Sequence, residues 1–341
     1  MTPLTYMRGL GAALALTTAA TAAMAAELNV YSSRHYDSDD VLYDAFTEQT
    51  GITVNRIEGK ADELMARMEA EGDNSPADVF ITVDAGRIVR AKEKGLLQPI
   101  DSDDVTAAIP AFLRDPDNQW FGLSQRVMMI YYAKDRVEAP PRTYEALADD
   151  AWKGRLCIRS SKNIYVQSLL ASIIEAQGEE AAREWVAGVR ANMARDPEGG
   201  DTDQLRGIVS GECDVAIGNH YYLLRGFEKD VEGLTSGIDN IGWVWPNQND
   251  RGAHTNLTAA GMAKSSPNPE SARAFLEFLT SDFAQSHFAN QNNEYPAVPG
   301  VALDEDTARL GYFIPDSTTG TDSYGRNAAK AQAIFNEVGW P

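Results

Sequence analysis

Three short stretches place tyrosine phenols where an apolar run gives way to a helical pattern. Asn219-His220-Tyr221-Tyr222 follows the run Val215-Ala216-Ile217-Gly218, Ser33-Arg34-His35-Tyr36 follows Leu28 to Ser32, and Ser160-Ser161-Lys162-Asn163-Ile164-Tyr165 follows Arg155 to Arg159. A phenolate is a hard anionic oxygen donor with a free pKa of about 10, so it is held ionised at neutral pH only by a strongly Lewis-acidic partner. Ferric iron has that character. Softer metals select thiolate and imidazole, and calcium or magnesium selects carboxylate clusters, which these turns lack. Several phenolates around a trivalent cation leave a site near neutral or slightly negative, and a guanidinium such as Arg126 would offset the excess without being a ligand. Taken alone, an aromatic pair at the end of a strand is ordinary core packing.

The elements that must bring these turns together follow a strand-helix rhythm. Leu28–Ser32 reads as a strand, 39–50 as a helix stopped by Gly51, 52–57 as a strand, 60–71 as a helix, and 77–83 as a buried strand before a helix over 85–94. Repeated strand-helix units predict parallel strands, and in a parallel sheet such turns share one edge, where a cleft between lobes presents ligand-binding groups. The segment 121–132, with Arg126 in its middle, reads as a long strand carrying the chain between lobes. The rhythm then restarts with a strand over 155–159, helices over 163–177 and 179–193, and the strand 214–218. The segments 241–245 and 255–262 read as strands returning to the first lobe, followed by helices near 269–279, 282–291 and 327–338. The expected division is 26–125 plus 252–300 for an N-lobe and 126–251 plus 301–341 for a C-lobe.

Composition limits the partners. The chain has 341 residues and a formal charge of −20, from 30 Lys and Arg against 50 Asp and Glu, which excludes binding to a phosphate backbone on electrostatic grounds. Residues 1–25 read as a cleavable export signal, with Arg8, an Ala-rich apolar stretch from Leu10, and small residues at Ala23-Met24-Ala25. The mature protein is then expected in the periplasm, as a monomer that is not embedded in the membrane. Two cysteines in an exported chain, Cys157 and Cys213, form either a disulfide between two strands or a pair of buried free thiols. No Ser-His-Asp order, Walker loop or H-E-x-x-H motif is present, so no enzyme is expected.

Several of these segments carry a family resemblance. Val30-Tyr31-Ser32-Ser33-Arg34-His35-Tyr36, Ser75 to Phe80, Arg159-Ser160-Ser161 with Tyr165, Gly218 to Tyr222, and Trp245-Pro246-Asn247-Gln248 resemble the periplasmic ferric-ion-binding proteins. These are the transferrin-like substrate-binding components of iron(III) ABC importers, and the similarity is to their multi-tyrosine branch. The resemblance implies a two-lobed, type II periplasmic binding fold with an α/β core in each lobe and crossing hinge strands. It implies Fe(III) held by Tyr36 from one lobe and Tyr165, Tyr221 and Tyr222 from the other, with Arg126 beside the site and delivery to an inner-membrane iron ABC permease. His35 matches a histidine that some members use as a fifth ligand; a hydrogen bond beside the site is the other reading, because neighbours in an extended segment point opposite ways. His220 matches a position that is generally not a ligand.

Two rival functions are compatible with the same residues. One is a protein of this fold for an organic cation or oxyanion, with the tyrosines as an aromatic cage or as hydrogen-bond donors. The other is a secreted metal-dependent enzyme, which a full set of protein donors opposes, since catalytic metals keep an open position. Trp243, Trp245, Tyr131 and Tyr132 read as packing.

Overall fold

A computed structural model describes residues 26–34 and 36–341; the export-signal segment 1–25 and His35 lie outside the described residues. Ten strands carry the fold: β1 (Glu27–Ser32), β2 (Thr53–Glu58), β3 (Val79–Val83), β4 (Leu97–Gln98), β5 (Trp120–Ala133), β6 (Leu156–Cys157), β7 (Val215–Asn219), β8 (Ile241–Val244), β9 (Thr255–Ala263) and β10 (Tyr295–Pro296). The main order is β2-β1-β3-β9-β5-β7-β6, with β4 on β9 and with β8 and β10 on β5. β1 runs parallel to β2 and β3, and β6 runs parallel to β7. The strand-helix rhythm therefore gives a parallel ladder in each half. Between the halves β5 and β9 run antiparallel to their neighbours. The architecture is a two-lobed mixed α/β fold.

β5 is the element the two halves share. Residues 120–127 pair with β9, and from Met128 onward the same strand pairs with β7 and then β8. All nine residues of β9 are buried, as expected of a strand covered on both faces, and its polar members bond inside the protein, Asn256 to Asp84 and Thr258 to Arg126. β8 departs from the sequence reading. It does not return to the β1–β3 half; it pairs with Ile130–Ala133 at the far end of β5, and only β9 makes the return. Strand patterning assigns a strand to a half only through its pairing partner, and that partner is remote in sequence. The helix Asp201–Ser210 was also not foreseen.

Where β5 leaves β9 for β7, the ladder has a gap that two tyrosines close. The Tyr144 hydroxyl donates to Met128 O at 2.7 Å and accepts from the His254 amide at 3.0 Å, and the Tyr324 hydroxyl donates to Thr255 O at 3.0 Å. The His254 ring lies 4.7 Å from that of Tyr324, and neither of its nitrogens has a hydrogen-bond partner in the protein. Burial in these apolar surroundings depresses its pKa to about 3.

Cys157 and Cys213 are disulfide-bonded, with Cα atoms 5.8 Å apart. The bond joins β6 to the residues that lead into β7, the two strands whose C-terminal turns carry Tyr165 and Tyr221. A Cβ at Gly207 would sit 2.7 Å from one sulfur and 2.9 Å from the other, so the covering helix needs glycine there.

Two predictions follow from these features. The disulfide spans 56 residues, and loop entropy of that length stabilises the fold by about 4 kcal/mol. The double substitution Cys157→Ser/Cys213→Ser is expected to lower the urea midpoint accordingly; an unchanged midpoint would contradict the estimate. His254 has the opposite linkage to a paired histidine. Between its folded pKa of about 3 and the unfolded value of about 6.5, the unfolded chain binds the extra proton, so stability falls as pH is lowered through that window. The slope is about 1.4 kcal/mol per pH unit for one histidine. His254→Phe should flatten it, and urea titrations at several pH values between these limits will show whether it does.

Candidate metal centre

The strand-to-helix turn at the end of β7 is held by several hydrogen bonds. Asn219, fully buried, gives its backbone N–H to Asp201 Oδ1 at 2.8 Å and its side-chain amide to the same oxygen at 3.2 Å, while its carbonyl accepts from the Tyr131 hydroxyl at 2.9 Å. Asp201 is paired in turn with Arg159 at 2.6 Å. His220, also fully buried, accepts from the Val127 N–H through Nδ1 at 3.2 Å, and its Nε2 meets the Asn293 carbonyl at 2.7 Å. A carbonyl only accepts, so the proton sits on Nε2 and the ring is neutral. Burial keeps it so, pushing its pKa down to about 4. The helix Tyr221–Glu228 starts from this fixed base, with the two phenol rings 4.5 Å apart between centroids.

Arg126 is where the other turns meet this one. Its guanidinium donates to the Tyr165 hydroxyl at 3.1 Å and lies 5.8 Å from the centre of the Tyr221 ring. Tyr165, Tyr221 and Tyr36 all act on its charge. Tyr165 is the second residue of the helix Ile164–Gln177, whose start is set by the Asn163 side chain accepting from the Val166 N–H at 3.2 Å. Tyr36 lies just before a short 3-10 turn after β1, with the Arg34 guanidinium 4.6 Å from its ring centre. The structure thus brings Tyr36, Tyr165 and Tyr221 within electrostatic reach of Arg126, with Tyr222 against Tyr221. His35 is outside the described residues.

The charge of Arg126 is already matched. Glu294 accepts from its Nε at 3.0 Å and pairs with its Nη2 at 2.8 Å, and Thr258 accepts from Nη2 at 2.9 Å. Ser124 and Arg126, two residues apart in β5, share one face, and the Ser124 hydroxyl also bonds Glu294. Arg34 reaches the same carboxylate at 3.4 Å and pairs with Asp39 at 2.6 Å. All four ionic groups are at most 3% exposed. Burial pushes the Glu294 carboxyl up, but Arg126 and Arg34 outweigh it and hold its pKa below the usual carboxylate range.

The phenols are in the opposite situation. Burial, reinforced by Tyr165, drives the Tyr221 pKa well above its ordinary value despite Arg126, and burial with the nearby Asp201 carboxylate raises that of Tyr222. Without a bound cation these two oxygens are protonated at neutral pH. No group of three His, Cys, Asp or Glu suited to a metal occurs among the described residues, so a cation held here would be held by phenol oxygens. That donor set fits a hard, highly charged ion.

Several residues of this centre were missed from sequence. Arg225 stacks its guanidinium 5.0 Å from the Tyr221 ring centre and 5.3 Å from that of Tyr222; its helical spacing of four and three from them could have indicated it. Glu294 stands 168 positions from Arg126 and 260 from Arg34, and no local pattern points to it. Arg34 was part of a noted stretch, but it had no role without its carboxylate partners.

Residues 42–312 match the sequence profile described as bacterial extracellular solute-binding protein. The chain is 47% identical, over 92% of its length and 87% of the relative's, to iron uptake protein A1 of Synechocystis sp.. A Trichodesmium structure in complex with iron and citrate superposes with a TM-score of 0.89 at 47% identity, covering 92% of this chain and 100% of that one. The ferric binding protein from Campylobacter jejuni gives 0.83 at 38% identity, covering 92% and 100%.

Proposed function

The chain belongs to the bacterial extracellular solute-binding proteins, and from that premise we propose that it is the periplasmic ferric-ion-binding subunit of an ABC iron importer, with Fe(III) as its cargo. The observation that carries this reading is the gathering of phenols from three separate turns around one buried, already neutralised guanidinium. Similarity to an iron uptake protein and to a ferric binding protein supports the same cargo. The assigned ligands are Tyr36, from the half built on β1–β3, and Tyr165, Tyr221 and Tyr222, from the half built on β6–β8. His35 is the candidate fifth. The lobes are taken to divide as 26–125 with 252–300 and 126–251 with 301–341, with 1–25 removed on export. The mature protein would act as a monomer that binds without turnover and hands iron to an inner-membrane permease. No helix of the described residues is long and apolar enough to cross a membrane.

The residues around the phenols account for how capture and release would work. Each phenol gives up its proton as it binds the cation, and the raised pKa values of Tyr221 and Tyr222 mean that only a strongly polarising ion can displace those protons. Arg126 donates to the Tyr165 oxygen and stabilises it as it becomes anionic. Because ligands from the two halves share one ion, binding favours the closed arrangement by the difference in affinity between closed and open states. Acidification or reduction to Fe(II) weakens the site and favours release.

Titration of the mature protein with chelated ferric iron should produce a visible phenolate-to-iron charge-transfer band. Single Tyr→Phe substitutions at 36, 165, 221 and 222 should each lower affinity about tenfold or more, about 1.4 kcal/mol at the least. A colourless protein with all four tyrosines intact would refute the reading. Proton release also sets the pH dependence: protonation competes with the metal, so affinity must fall as pH falls, by about one log unit per pH unit for each proton displaced. A pH-independent affinity between pH 6 and 8 would show that the phenols are not the ligands.

A further inference from the structure

The three phenol-bearing turns share one more feature, a two-residue segment between the helix Asp282–Asn292 and β10. Asn293 caps that helix in the left-handed conformation, with φ 57° and ψ 31°. Its carbonyl accepts from His220, the residue before the tyrosine pair, at 2.7 Å, and its side-chain amide donates to Glu228 at the end of the tyrosine-bearing helix at 2.6 Å. The next residue, Glu294, holds Arg126 at 2.8 Å and Arg34 at 3.4 Å. Arg126 in turn holds Tyr165, and Arg34 lies against Tyr36. Tyr36, Tyr165 and Tyr221 are therefore each one intermediary away from Asn293-Glu294, and Tyr222 is fixed through its neighbour.

Resting on the Fe(III) reading above, we propose that Glu294 is the positioning residue of the metal site, the carboxylate that keeps Arg34 and Arg126 in place and so fixes the phenols they touch. The physical reason lies in the two guanidinium groups. Both are buried at 3% exposure or less, both are permanently charged, and they repel each other unless an anion stands between them. Arg34 has Asp39 as a second carboxylate partner at 2.6 Å. Among the described residues, Arg126 has only Glu294. Freed from it, Arg126 turns to the nearest anionic oxygens available when iron is bound, which are the phenolates themselves. A guanidinium drawn onto a phenolate withdraws electron density from the metal ligand, which weakens the iron bond and raises the energy of the charge-transfer transition. The capped, left-handed Asn293 holds the carboxylate at its level in the fold, because the same residue is tied to His220 and Glu228.

The experiment compares wild type, Glu294→Gln, Glu294→Asp and the double variant Glu294→Gln/Arg126→Gln, each loaded with chelated ferric iron. Glu294→Gln keeps the shape but removes the charge. It should lower iron affinity by about tenfold to a hundredfold, the usual range for groups that orient metal ligands, and move the band to shorter wavelength. In the double variant no guanidinium is left unpaired at this position, so the band should return toward the wild-type wavelength. A merely structural role for Glu294 would not predict that return. Glu294→Asp keeps the charge but is too short to reach both arginines; it should shift the band in the same direction and carries the test if Glu294→Gln does not fold. A wild-type band and affinity in both single variants would overturn the proposal, as would a shifted band that the second substitution leaves unmoved. A wild-type protein with no band at all would refute the Fe(III) reading, and with it any role of Glu294 in metal binding.

Discussion

The structure depends on a buried carboxylate standing between two buried guanidinium groups. Glu294 meets Arg126 and Arg34 where β5, β9, the turn after β1 and the start of β10 come together. Taking charges out of water costs several kcal/mol per ion, and the cost is recovered only where geometry and additional hydrogen bonds are close to complete. That requirement is met here from parts of the chain up to 260 positions apart. The cluster therefore forms only when the turn after β1, the first part of β5, β9 and the segment before β10 are assembled, which makes it a link between folding and the placement of the phenols.

The same cluster explains why oxygen donors that are poor ligands in isolation are suited to this place. With Asp39 included, two positive and two negative groups cancel, so this cluster presents no net charge to the phenols. Burial holds Tyr221 and Tyr222 protonated in the absence of metal. A weakly polarising divalent ion would have to overcome that burial with less charge than a ferric ion brings. With the phenols as the proposed donors, selectivity for a hard trivalent ion would come from the cost of ionising them as much as from their number. The acidic surface, with a formal charge of −20 for the whole chain, adds a field that draws cations in but plays no part in the donor set.

The hinge is built on a different principle from the site. β5 and β9 cross between halves as backbone ladders, and at the gap where β5 changes partners the hydroxyls of Tyr144 and Tyr324 bond backbone groups that no strand reaches. These phenols are fully or almost fully buried and serve as hydrogen-bond links. Identical side chains therefore do two jobs in one protein, and it is their place in the fold that separates them.

Local chemistry was legible in the residues themselves. The phenols of Tyr36, Tyr165, Tyr221 and Tyr222 stand at strand-to-helix turns that apolar runs, caps and breakers mark out in sequence, and a set of such oxygens calls for a hard cation whatever the fold. Arg126 could be placed on a long crossing strand because that strand is continuous in sequence. What stayed hidden was pairing at a distance. β8 was expected to return to the first half because its pattern says strand without naming a neighbour. Glu294 read as one carboxylate among many, since a side chain's partner across a fold leaves no periodic trace along the chain. Sequence by itself determined the candidate phenols and the elements that present them, because those depend on residue type and short-range spacing; only the tertiary structure decided which charges neutralise each other, because that depends on burial and on contacts between residues hundreds of positions apart.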